Sequence, residues 1–328
     1  MKIRWLGWGR GTLAFAAVSL VCLAASCGHS ATSSEGGGQG SGSSQAATFP
    51  PAPAADTTGG FDGARAYKHV VEQVAIGPHP AGSEGIQRAQ QYIVGQLKSF
   101  GCPVEVQDFH ASSTPVGDVA MENILVKIPS TNPNIILYGS HYDTKRIPDF
   151  VGADDAGSST GILLELERLL CARKNAETIW LAFFDGEEDF NFNWTDTDNT
   201  FGSRELAASM ALSGELQRVK AMILLDMVGP ANPVYKREIN STPWLTDLIW
   251  STAGRLGYGR VFVGDRADID DDHIPFLKRG VPSVDIIDLE VPYWHTPQDT
   301  LDKIDPRTLA ITGHVMISSL PEIEQRIK

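Results

Sequence analysis

Thr178-Ile-Trp-Leu-Ala-Phe-Phe184 runs straight into Asp185-Gly186-Glu187-Glu188-Asp189, so six apolar residues lead into four acids with a glycine among them. An apolar run of that length reads as a strand buried on both faces, because neither side can meet water. Four carboxylates gathered at its end repel one another. Either a positive group sits among them or some are protonated. In open α/β sheets the binding crevice lies beyond the carboxyl ends of the strands, which is where these acids fall. The plainer alternative is an acidic turn bathed in water, and the apolar run before it argues against that.

Outward from this strand, apolar spacing predicts a helix over 61–75, and Gly77-Pro-His-Pro-Ala-Gly82 then breaks the chain. Ser83 is placed to cap a helix running to about Phe100. β-branched content predicts strands over 104–109, 122–128 and 134–138, and an apolar-rich helix over 157–171. Beyond the acidic turn come a helix starting at Gly202, a strand over 221–225, a helix over 242–256, strands over 260–263 and 282–287, and a closing helix over 306–320. Strands and helices alternate after a hairpin-like start. The expected fold is therefore a single three-layer α/β/α sandwich with a central mixed β-sheet, occupying residues 58–328.

The N-terminus reads differently. Lys2, Arg4 and Arg10 precede an apolar run from Leu13 to Ala25 and then Ser26-Cys27, the pattern of a secretory signal over 1–27. Leu23-Ala-Ala-Ser-Cys27 resembles a bacterial lipobox, whose cysteine is acylated and anchors the mature chain in the membrane. Residues 28–57 are rich in Gly, Ser, Ala and Pro and read as a disordered tether. The expected location is outside the cytoplasm, on a membrane through Cys27 or else secreted. A net charge of −13 argues against nucleic acid and against an anionic membrane surface as partner. Of four cysteines, only Cys102 and Cys171 lie beyond the signal; they allow one disulfide in an oxidising compartment, and the sequence leaves their pairing open. No GxGxxG or Walker pattern supports nucleotide binding.

Acids and histidines recur at the predicted strand ends: His141-Tyr-Asp143, Asp154-Asp155, Glu187-Glu188, Asp226 and Trp294-His295. A lone histidine is more often structural, but oxygen and nitrogen donors from several strand ends suit zinc, which takes carboxylate and imidazole and prefers about four ligands.

These residues, over roughly 60–325, resemble the zinc-peptidase family M28, which includes di-zinc aminopeptidases. Within it the chain is closer to the glutaminyl-peptide cyclotransferases, on His141-Tyr-Asp-Thr-Lys145, Phe150-Val-Gly-Ala, Phe183-Phe-Asp-Gly-Glu-Glu188, Phe201-Gly-Ser-Arg204, Asp271-Asp-His273-Ile-Pro-Phe276 and Trp294-His-Thr296. The resemblance implies that Asp155, Glu188 and His295 hold one zinc and that Glu187 is the general acid/base. It implies a hydrogen-bonded acid pair of Asp226 and Asp271 beside Glu187, and a pocket for peptide N-termini walled by Trp194 and Trp294. His141 and Asp226 are the residues a second zinc would use. The pattern departs where animal cyclases carry a histidine, since Asp285 stands there; Ser140 replaces a cysteine, and Val291 lies where an aromatic is expected.

The implied reaction joins the α-amine of an N-terminal glutamine to its own side-chain carbonyl with loss of ammonia. An amine with a pKa of about 7.7–8.0 needs a base to take its proton. The alternatives are an aminopeptidase using the same residues on water, and a non-catalytic binding module. Gly157-Ser-Ser159-Thr-Gly161 matches the serine-hydrolase elbow but follows no clean apolar strand. The acidic run 265–272 lacks the spacing of a calcium loop, and only Asp271 is kept from it.

Overall fold

The computed structural model describes residues 49–192 and 194–328. The expected signal over 1–27, with Cys27, and the greater part of the 28–57 tether lie outside the described residues. Residues 49–57 run along the domain rather than away from it. Phe49 gives that segment an apolar side chain to pack on the core, and Arg307 lies over its ring at 4.2 Å.

A hairpin of β1 (Val104–Thr114) and β2 (Gly117–Ile128) opens the sheet, and β2 pairs antiparallel with β4 (Thr178–Phe184). From β4 the sheet continues in parallel through β3 (Ile135–His141), β5 (Val219–Asp226) and β8 (Ser283–Ile287), in the order β1-β2-β4-β3-β5-β8. The sheet is thus mixed, as expected. Alternation along β4 divides the core. Ile179, Leu181 and Phe183 face a layer built on α1 (Gly63–Ile76), α2 (Glu84–Ser99), α3 (Gly157–Cys171), α5 (Pro243–Arg255) and α7 (Pro306–Arg326). Trp180, Ala182 and Phe184 face α4 (Phe201–Ser213) and the short α6 (Ile274–Leu277). Every residue of β4 is buried, which is why no polar alternation shows in its sequence.

The chain leaves β3 through α3 to β4 on one side, then crosses through α4 to β5 on the other. A crevice therefore opens beyond the carboxyl end of β3.

Three differences from the sequence reading have local causes. The strand expected over 260–263 starts at Phe262 and runs as β7 (Phe262–Ala267). It pairs in a separate two-stranded sheet with β6 (Tyr235–Glu238), which is too short to show a period. The closing helix runs past Leu320 to Arg326 with Pro321 inside it, because buried Ile323 keeps the last turns on the core.

Cys102 and Cys171 are bonded, with their Cα atoms 5.6 Å apart, and tie the approach to β1 to the end of α3 across 69 residues of sequence. Closing a loop of that length restricts the unfolded chain by about 4 kcal/mol in the chain-entropy account. Replacing both cysteines with alanine should lower unfolding stability by about 2–4 kcal/mol in a denaturant titration, with the folded activity kept. An unchanged midpoint would show that the bond contributes nothing.

Candidate metal centre

Register places the first two donors. β3 and β5 are parallel neighbours with Gly139 level with Leu224, so His141 and Asp226, each two residues on, stand level and on the same face. His141 Nε2 lies 3.1 Å from Asp226 Oδ1 and 3.3 Å from Asp155 Oδ1. Asp155 reaches them from the turn into α3, where Ala156 takes φ 82°. Its second oxygen, Oδ2, lies 3.4 Å from His295 Nε2, and that nitrogen is 3.3 Å from Glu188 Oε2. One carboxylate thus joins two donor trios, His141–Asp155–Asp226 and Asp155–Glu188–His295.

These residues fit a small divalent cation. A tetrahedral ion with bonds of about 2.0–2.1 Å sets its ligand atoms about 3.3 Å apart, and the four separations above run from 3.1 to 3.4 Å. Among the described residues, buried Asp155 Oδ2, Glu188 Oε1 and Glu187 Oε1 have no hydrogen-bond partner. A mixed imidazole and carboxylate set of this kind suits zinc.

The acidic turn after β4 is held from beneath. Asp143 Oδ1 accepts the Glu187 N–H at 3.0 Å, and its Oδ2 accepts that of Glu188 at 3.4 Å. Gly186 sits at φ 71°, and a Cβ there would come within 2.6 Å of Met121 Sδ, so this turn favours glycine. The positive charge that the four acids demand is supplied by Lys145 as well as by the histidines. Its Nζ lies 2.8 Å from Asp189 Oδ2 and 3.1 Å from Glu188 Oε2.

The electrostatics separate neighbouring carboxylates. Burial would neutralise Glu188, but Lys145 and His295 outweigh it and bring its pKa down to about 2. At Asp155 burial is likewise overcome by His141 and His295, and its pKa falls below the ordinary range. Burial pulls His295 down, and Glu188 and Asp155 reverse that, to about 10. Glu187 goes the other way. Burial dominates there, opposed by His141 and reinforced by Glu188, and its carboxyl is held well above the usual value. Two adjacent glutamates therefore differ in proton affinity, one suited to hold a cation and one to carry a proton.

Asp226 Oδ1 faces His141 Nε2 at 3.1 Å, while Asp271 Oδ1 accepts the Asp272 N–H and its Oδ2 has no hydrogen-bond partner among the described residues. Burial, with Asp285 and Asp226 nearby, raises the Asp271 carboxyl well above its ordinary pKa. Beside Asp285 stands His273, with Nδ1 4.0 Å from Asp285 Oδ2 and Nε2 bonded to Glu238 Oε2 at 3.0 Å. Trp294 stacks on His295 with ring centres 4.2 Å apart, Trp194 is buried, and neither indole N–H has an acceptor among the described residues. Ser159 lies inside α3 with its hydroxyl bonded to Ser140 and Ala156, which leaves it no role as an exposed nucleophile. Asp143, Lys145, Asp154, Tyr293 and Asp299 carried no assigned role in the sequence reading. Each lies within four residues of a donor, and that proximity was the available signal.

The chain is similar to known proteins over most of its length. The model of peptidase family M28 matches residues 123–320, more than half of the chain. A glutaminyl-peptide cyclotransferase of Drosophila melanogaster is 30% identical over 269 residues, covering 74% of this chain and 75% of that protein. The crystal structure of an Acidobacteriales bacterium glutaminyl cyclase superposes with a TM-score of 0.78 at 36% identity, covering 86% of this chain and 100% of that one. A Zn-dependent exopeptidase from Parabacteroides distasonis superposes with a TM-score of 0.72 at 28% identity, covering 78% and 97%. By its motifs, its fold and these matches, the chain belongs to peptidase family M28.

Proposed function

We infer that the chain is a glutaminyl-peptide cyclotransferase, converting N-terminal glutamine of peptides to pyroglutamate with release of ammonia, and that it works with one zinc ion on Asp155, Glu188 and His295. The choice of reaction rests on the likeness, over about three quarters of the chain, to proteins named for that activity, because the donor set alone would serve hydrolysis equally. A zinc ion there would supply a Lewis acid for the side-chain carbonyl. Glu187, one residue from Glu188 yet not needed as a ligand, takes the proton of the attacking α-amine and passes it to the departing nitrogen. The new C–N bond closes the lactam as the old one breaks, and ammonia leaves. The reaction is intramolecular, so Trp194 and Trp294 contribute by holding the glutamine curled. Asp271, whose carboxyl burial pushes toward its protonated form, is suited to assist Glu187.

A second reading, aminopeptidase, is favoured by the His141–Asp155–Asp226 trio, which offers a place for another ion. We also propose that the chain is exported and anchored through Cys27. The basic-apolar-small pattern of residues 1–27 and the Cys102–Cys171 bond, at home in an oxidising compartment, support that reading.

Mass spectrometry of two peptides, one beginning with Gln and one with Leu, tests the reaction. Loss of one ammonia from the first with the second untouched is the expected result. Release of the first residue from either peptide would instead make the protein an aminopeptidase.

A further inference from the structure

Asp154 immediately precedes Asp155, yet it faces away from both donor trios. Its carboxylate is fully buried. Oδ1 accepts the Gly229 N–H at 2.9 Å, three residues beyond Asp226. Oδ2 accepts the Tyr293 hydroxyl at 2.8 Å, two residues before His295. The loop carrying Asp155 is gripped from the other side as well. Asp299, four residues beyond His295, accepts the N–H groups of Asp154 and Asp155 at 2.8 and 3.0 Å. Ser158 closes the set, donating to the Asp154 carbonyl at 2.7 Å and accepting the Val228 N–H at 2.9 Å.

Each of these three loops contains a residue other than glycine at positive φ: Ala156 at 82°, Met227 at 45° and His295 at 51°. Such conformations are strained and persist only where the surroundings over-determine them. The hydrogen bonds centred on Asp154 supply that constraint, and they join the loops that bear Asp155, Asp226 and His295.

We propose that Asp154, with Tyr293 and Asp299 as its partners, is a positioning residue that fixes the three ligand loops against one another and so sets the spacing of the metal donors. The inference rests on the ligand assignment above. The carboxylate belongs to neither donor trio; it acts through the Gly229 N–H and the Tyr293 hydroxyl, while Asp299 holds the backbone N–H groups of Asp154 and Asp155.

Tyr293→Phe keeps the ring and removes only the hydroxyl that bridges the loops. In the zinc-loaded full chain it should release zinc to an excess of a colorimetric chelator about tenfold faster than the parent, in line with the usual 10–100-fold effect of groups that orient ligands. The cobalt-substituted protein should show a shifted visible absorption band. Asp154→Ala should show both effects more strongly. Asp154→Asn should recover most of the loss, since its amide oxygen can accept from Gly229 and its amide nitrogen can donate to the tyrosine oxygen. Zinc release from Tyr293→Phe at the parent rate, with an unshifted cobalt band, would overturn the positioning role and leave the ligand assignment standing. Asn failing to improve on Ala would also overturn it. A parent that holds no zinc would overturn the ligand assignment and this inference together.

Discussion

Asp155→Asn should cost the protein its zinc and, with it, turnover by about three orders of magnitude or more, since Lewis-acid stabilisation is worth several kcal/mol and each 1.4 kcal/mol is tenfold in rate. The size of the effect follows from where the carboxylate stands. Its two oxygens face His141 and His295 at 3.3 and 3.4 Å, so both trios use it. An amide replaces one of those oxygens with an N–H donor, and it removes the charge that helps keep both trios attractive to a cation. Asp226→Asn touches only the His141 trio, so it should leave one ion per chain in place. Metal content after dialysis, together with turnover on an N-terminal Gln peptide, distinguishes the two variants. Retention of zinc and near-parent activity by Asp155→Asn would remove the basis for the assigned site. Loss of zinc from Asp226→Asn as well would shift weight to a two-ion centre.

Much of this arrangement could be read from the residues because burial leaves a mark in composition. The seven residues of β4 are all inside, so their sequence is apolar without alternation, and the acids that follow fall at a strand end by topology alone. His141 and Asp226 could be read for the same reason: each closes a strand. The sharing of Asp155 between two trios could not, because it depends on a turn in which Ala156 adopts φ 82°, a conformation its side chain disfavours. Lys145 was hidden for a different reason. Its charge was required by the acids after β4, but nothing in the spacing from residue 145 to 189 says that the chain folds them together. Asp154 looked like a duplicate of its neighbour. Which of two adjacent aspartates faces the donors is decided by backbone direction, and composition is silent on that.

Glu187→Gln should leave zinc bound while turnover falls by about 10²–10⁴, the usual worth of a positioned acid/base. Asp143 holds this residue through its backbone N–H, and the side chain is no member of either trio, so the isosteric amide leaves the donors untouched. What the amide cannot do is accept the proton of an amine. Stability should move the opposite way. Burial raises the folded-state pKa of Glu187 well above its ordinary value of about 4.3, so between those two values the folded state binds more protons than the unfolded one. Stability from this group is therefore present below the unfolded pKa and lost as pH rises through the folded one. The metal-free Gln variant escapes that loss and should unfold at higher denaturant than the metal-free parent at neutral pH, with the difference vanishing in acid. A site that costs stability to keep and turnover to remove is what an acid/base confined in a dry crevice demands. Two results would count against the assignment: activity above about a tenth of the parent, well outside the range for a positioned acid/base, or a Gln variant less stable than the parent at every pH.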